Sequence, residues 1–331
     1  MSLTGVSVFS SRVLFVLVCQ AAWCAPAAAE WFSDVQDKMG TRVEVQLWSE
    51  DAAGAEALLA TAMAEFDRIE QAMSTYIEAS EISRVNREAA DRPQKISAEL
   101  FALLEKAQEI SELTEGAFDI TYDSVGQLYD FRARRYPDPL EIETRLEKID
   151  YRHVLLNADE QTVTFAVPGV RINLGGIAKG YAVGKVVEFL ESAGVEHALA
   201  TAGGDTRILG QRRDAPWVVG IRDPNNANAV FTRVALQDEA ISTSGDYERF
   251  FIEDGVRYHH ILNPSQGTSA TGVRSVSVIG PSATVTDGLS TAVFVMGREK
   301  GLELIDQLVD YEALIVLSDN EYAVSKGLRP D

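Results

Sequence analysis

The 331 residues carry 30 Lys and Arg against 50 Asp and Glu, a formal charge of −20 at pH 7, and 46% of them are hydrophobic. A chain of that length and composition can bury a sizeable core, in one large domain or two ordinary ones. With no basic stripe to offset its charge it repels phosphate backbones, which sets nucleic-acid binding aside. Any phosphate it does bind must meet local positive charge from a cation, a lysine or a helix N-terminus.

Residues 1–29 hold one charged residue, Arg12, then the apolar run Val13–Val18 and an exit at Pro26-Ala27-Ala28-Ala29. This pattern predicts a secretory signal peptide cleaved after Ala29; a buried core helix is the weaker alternative. Cys19 and Cys24 both lie within it, preceded by Val18 and Trp23 rather than by the small residue that lipoprotein processing needs. A mature chain over 30–331 would have no thiol, disulfide or thiolate-bound metal. The expected location is periplasmic, and no later stretch is apolar enough to cross a membrane.

Val43, Val45 and Leu47 alternate in a strand over 41–48. Apolar residues at helical spacing predict a helix over 52–73 and a second over 97–113, opened by Ser97. The charged, Pro-broken stretch 132–141 reads as an exposed loop before a short helix. From 151 the period changes to two, giving strands near 152–156 and 162–166, a Gly-rich turn and a helix near 177–193. Strands follow near 197–202, 206–209, 217–221, 230–236, 248–252, 256–262 and 274–280. Helices near 284–296 and 298–309 and strands over 313–317 and 322–325 complete the chain. Without strict βαβ alternation the predicted class is α+β. A helix-rich N-terminal part and a strand-rich C-terminal part, dividing near 150, pack intimately around a shared cleft.

Four constellations carry chemistry. Asn173–Tyr181 (NLGGIAKGY) runs from a strand through paired glycines into a helix with Lys179 in its first turn. It is either an anion site or a tight strand-to-helix connection. Its glycine spacing matches neither a Walker loop nor a dinucleotide fingerprint. Asp287 and Thr291, four apart, place a carboxylate and a hydroxyl on one helix face, suited to magnesium, unless Asp287 or Thr286 only caps that helix. His259 and His260 diverge if they lie in a strand, so they cannot share a metal, and one can face a cleft as a proton carrier. Ala117-Phe118-Asp119 and Tyr76 offer aromatic surface beside an acid, for a flat ring system or for the core.

Taken in order, these segments resemble the FAD:protein FMN transferases, the ApbE family, from Met39 to about Met296. The anchors are MGT at 39–41, STY at 74–76, SEISRVN at 80–86, GAFD at 116–119 and LGGIAKGYA at 174–182. AGGD at 202–205, HILNP at 260–264, ATGVRSV at 270–276 and DGLST at 287–291 continue the series. The resemblance implies that FAD, as substrate, is split at its pyrophosphate. FMN is then joined through a phosphoester to a Thr or Ser of an acceptor protein, and AMP is released. It also implies an FAD site lined by Met39, Tyr76, Ala117, Phe118, Asp119, Asn173, Lys179 and Ile261. The Gly176 carbonyl, Asp287 and Thr291 would hold magnesium, and His260 would assist proton transfer at the acceptor hydroxyl. The expected acceptor is a membrane-associated or periplasmic redox protein. A protein that binds or hydrolyses FAD without an acceptor is the alternative. The chain departs from the family at Asn173 and Asn263, where Asp is frequent; the first change removes a charge that would contact FAD or an extra cation.

Overall fold

Val43, Val45 and Leu47 point to one side of the strand Thr41–Ser49 and are fully buried, as their alternation requires. That strand belongs to an eight-stranded sheet seen in a computed structural model that describes residues 29–318 and 321–329. Apart from Ala29, the expected leader lies outside the described residues. The sheet order is Glu30–Lys38, Thr41–Ser49, Ala198–Ala202, Asp205–Leu209, Ala240–Gly245, Val273–Gly280, Glu312–Leu317 and Tyr322–Val324. Each strand is antiparallel to its neighbours.

The helices are α1 (Ala52–Met73), α2 (Glu81–Glu88), α3 (Ala98–Leu113), α4 (Asp123–Gly126), α5 (Pro139–Leu146), α6 (Ala178–Ser192) and α7 (Ala283–Ile305), of which α1, α6 and α7 lie directly on one face of the sheet. One apolar cluster joins Phe66 and Ile69 of α1, Leu100 and Leu104 of α3 and Val183 and Leu190 of α6 to the strand residues Val45, Ala198 and Ala200. This core runs across residue 150 without a break. A neighbouring cluster seats Leu289, Val293 and Phe294 of α7 on Val276, Val278 and Ile315. Each large side chain so buried contributes about 1.5–3 kcal/mol. The opposite sheet face, with Ile208, Ile241, Ile279 and Val316, is covered by Trp217, Ile221 and Leu236 of the hairpin Trp217–Asp223/Asn226–Leu236. The architecture is α+β in three layers.

Helix α1 spans the predicted 52–73, and Ser97 caps α3 by accepting the Leu100 amide at 3.2 Å. The two helices expected near 284–296 and 298–309 meet at Gly297, whose φ of 77° is non-helical and breaks α7 there; the second ends at Ile305. The strand predicted over 256–262 ends at His259. The elements outside the prediction include the strands Glu30–Lys38 and Ala240–Gly245 and the helices α2 and α4.

Helices α6 and α7 approach each other at Gly180. A Cβ at that position would stand 2.2 Å from the Ala283 carbonyl oxygen and 2.6 Å from the Asp287 Cβ. Backbone cannot yield as a flexible side chain does, so Gly180→Ala is expected to lower stability by about 3 kcal/mol or to spread the two helices. Denaturant unfolding of that variant, showing wild-type stability, would refute this packing.

Candidate active site

Asp287 is reached from α6. Its own helix is capped by Ser282, which accepts the Val285 amide at 3.4 Å, so Asp287 is not the cap of α7. Its Oδ2 instead accepts the Gly180 amide at 2.9 Å, satisfying one of the free donors at the start of α6. The side chain of Ile177 at the N-cap makes no capping hydrogen bond, which leaves that role to the carboxylate of the neighbouring helix. Lys179, one residue before Gly180, ion-pairs with buried Asp205 and lies 3.9 Å from Asp287 Oδ1. Burial opposes the charge of Lys179, but the two carboxylates outweigh it and hold the ammonium above its ordinary range. Burial, then the proximity of Asp205, pushes the Asp287 carboxyl upward, against the pull of Lys179 and of the Gly180 amide.

One turn on, Thr291 faces the Gly-rich connection. A Cβ on Gly176 would be 3.2 Å from Thr291 Oγ1 and 3.3 Å from the Phe118 ring, so glycine keeps this gap open. Ser244 lies 3.2 Å from the same hydroxyl and 2.8 Å from Ser290. Asp287 and Thr291, with the Gly176 backbone beside Thr291, offer oxygen donors only, the donor chemistry of a hard cation. Among the described residues no group of three or more His, Cys, Asp and Glu side chains could hold a metal ion. A cation here would therefore rest on one carboxylate, neutral oxygens and ligand oxygens, the mode that suits magnesium, and the residues fit it.

Beyond Gly176 the wall continues through Asn173. Its Oδ1 accepts the Gly175 amide at 2.9 Å, and its Nδ2 donates to Thr75 at 3.4 Å and to Asp123 at 3.3 Å. A carboxylate thus stands beside Asn173 after all, contributed by Asp123, which is buried and paired with Arg171 at 2.6 Å. Tyr76, next to Thr75, is 85% exposed, an aromatic ring with almost no support from the protein. Phe118 is buried against Gly176 and Ala117 is half-buried beside the core. Asp119 accepts the Thr121 amide and hydroxyl at 2.7 and 2.6 Å and the Tyr151 amide at 2.8 Å. Both its oxygens serve the fold, and burial raises it to about 6 despite these donors.

The histidines separate as their positions suggest. His259 ends the strand Val256–His259; its Nε2 lies 2.8 Å from the Ala270 carbonyl, its ring stands edge-on to Phe294, and burial lowers it to about 4. The His260 Nδ1 is shielded from solvent and has no partner. Desolvation, then the charges of Arg249, His259 and Lys179, lowers His260 to about 3. Ile261 is buried behind it. At the far rim Met39 has a left-handed φ of 52° and donates its amide to Glu70 at 2.9 Å, and Arg249 reaches over Gly40. Asp205 and Arg249 escaped the sequence reading. Asp205 stood in the AGGD anchor with no role, and an arginine in a hairpin carries no periodic signal.

The site residues thus converge along one continuous wall, from Met39 through His260, Lys179, Asp287 and Thr291 to Asn173 and the segment of Tyr76. The ApbE family pattern matches residues 39–315. An FAD:protein FMN transferase of Treponema pallidum is 33% identical over 96% of this chain and 93% of its own length. One from Vibrio cholerae is 33% identical over 80% and 83%. The crystal structure of an ApbE protein from Thermotoga maritima superposes with a TM-score of 0.84 and 34% identity, covering 90% of this chain and 98% of that one. The flavin transferase ApbE of Vibrio cholerae gives 0.81 at 29% identity, with the same coverage. The chain belongs to the ApbE family.

Proposed function

We propose that the protein transfers FMN from FAD to a Thr or Ser hydroxyl of an acceptor protein, with magnesium as cofactor and AMP as the second product. The observation that carries this reading is the juxtaposition of Lys179, the oxygen set of Asp287, Thr291 and Gly176, and the unpartnered His260 ring. Mere storage of a flavin would need neither a buried carboxylate pair nor a free imidazole. In a chain of charge −20, a pyrophosphate is drawn in only where positive charge is concentrated locally.

Tyr76 offers an open ring face on which an isoalloxazine can stack, and Phe118 closes the wall behind it. Lys179, held by Asp205, presents its ammonium to the phosphates. The chemistry that magnesium supplies when bound is Lewis-acid stabilisation of the charge developing on phosphate oxygens. The acceptor oxygen bonds to the FMN phosphorus, the bond from that phosphorus to the AMP oxygen breaks, and the hydroxyl proton passes to His260. His260 is neutral in the resting protein and can accept it. The charges that depress it, on Arg249 and Lys179, are those an anionic substrate offsets, which raises its basicity as the substrate binds. The pattern of residues 1–29 supports a periplasmic setting, with a periplasmic or membrane-associated redox protein as acceptor.

Purified protein incubated with FAD, magnesium and a Thr-bearing acceptor is expected to yield an acceptor heavier by one FMN phosphoester, with AMP in equal amount. AMP and free FMN without an adduct would overturn the transferase reading in favour of hydrolysis. Asp287→Asn keeps an acceptor for the Gly180 amide but loses the charge, so transfer should fall to background while the fold persists. His260→Ala should bind FAD normally and transfer it roughly 10²–10⁴-fold more slowly. His259→Ala should chiefly lower stability.

Both histidines are held below the ordinary imidazole value of 6.5, at about 4 and about 3. The unfolded chain therefore binds more protons below 6.5, so their contribution to stability is full above that pH and is lost as pH falls through 4. Thermal unfolding should show this decline, with a shallower slope in His260→Ala; equal slopes would contradict the burial of that ring.

A further inference from the structure

Lys179 does not by itself make the site attractive to a pyrophosphate. Its ammonium is shared between Asp205 and Asp287, so two carboxylates stand against one cation. Arg249 is the next cation in reach. Its guanidinium forms no hydrogen bond or ion pair among the described residues. Its charge acts on Lys179, His260 and Tyr122 together, which places it over the same cleft.

The fold fixes where this side chain starts. Phe250 pairs with His259 at the base of the hairpin Phe250–Glu253/Val256–His259, and the His260 amide donates to the Arg249 carbonyl at 3.2 Å. Arg249 and His260 thus leave the hairpin side by side. From there the guanidinium extends across the turn between the first two strands. A Cβ on Gly40 would lie 3.1 Å from its terminal nitrogen, and Gly40 has a left-handed φ of 69°. The glycine gives the arginine room. A guanidinium presents a planar fork of donors that matches phosphate oxygens two at a time, and an unpaired one needs no existing partner to be broken before it binds.

We propose that Arg249 is a substrate-binding residue that grips the pyrophosphate of the dinucleotide, opposite Lys179 and beside His260. This rests on the FAD reading above and adds to it the group that cancels the excess negative charge of the Lys179, Asp205 and Asp287 cluster.

The test compares FAD with riboflavin, which has the same ring system and no phosphate, binding to the full chain in the presence of magnesium. Quenching of flavin fluorescence is the readout, with thermal unfolding as a check on folding. Arg249→Ala is expected to weaken FAD binding about 10–100-fold while riboflavin binding and the unfolding temperature stay unchanged. Arg249→Lys, which keeps the charge but loses the fork, should recover part of the affinity. Raising the salt concentration should weaken FAD binding more steeply in the unaltered chain than in Arg249→Ala. Wild-type affinity for FAD in Arg249→Ala, or an equal loss for riboflavin, would overturn the assignment. An unaltered chain that binds FAD but makes no adduct would overturn the transfer reaction and leave the Arg249 result standing; one that binds no FAD would overturn both.

Discussion

The hydrogen bond from the Gly180 amide to Asp287 depends on two helices lying closer than side chains normally permit. Glycine at the start of α6 removes the obstacle, and the helix N-terminus then receives a carboxylate from α7 in place of a cap of its own. Everything around this contact inherits its position. Lys179 precedes the glycine and so meets Asp287, Asp205 enters from the sheet below, and Thr291 follows one turn later beside Gly176. The bond does more than join the helices: it occupies one oxygen of Asp287 and leaves the other 3.9 Å from the Lys179 ammonium.

The electrostatics of the cleft follow from placing a few opposite charges in a poorly solvated space. Asp205 raises the cost of ionising Asp287, and Lys179 lowers it. The result is a cluster whose parts hold one another in place and in which two carboxylates face one ammonium, an imbalance that the neighbouring Arg249 offsets.

How far these features could be read from the sequence varied with the strength of the local signal. The helix over 52–73 repeats apolar residues on one face for six turns, and Ser97 is a strong N-cap, so both emerged from periodicity alone. The strand Glu30–Lys38 did not, because it lies at the sheet edge, is largely exposed, and carries Asp34 and Asp37 where alternation would need apolar residues. Ala240–Gly245 is buried in the middle of the sheet, yet its Ser, Thr and Gly residues give no two-residue rhythm; its hydroxyls pair with Thr286, Ser277, Ser290 and Thr291 instead. The pair Asp287 and Thr291 was visible as a spacing, but whether it formed a cap or a site turned on Ser282 and on Gly180, more than a hundred residues away. Family likeness named the residues of the wall. Only the tertiary contacts show that the Asp119 carboxylate faces inward and that Asp123 stands beside Asn173.

The order of strands in the sheet has a consequence for how the molecule is made. Residues 30–49 form a hairpin, but its inner strand pairs next with Ala198–Ala202, some hundred and fifty positions later. Closing that loop is entropically expensive and slow compared with forming the helices in between. A chain synthesised or threaded from its N-terminus can lay α1 over Val43, Val45 and Leu47 early, but the inner edge of Thr41–Ser49 stays unpaired until Ala198–Ala202 arrives. During that interval the hairpin presents an open backbone edge, the feature that recruits other chains. The acidic residues scattered along Glu30–Lys38 keep the outer edge charged during that interval and afterwards, because this strand remains an edge of the finished sheet.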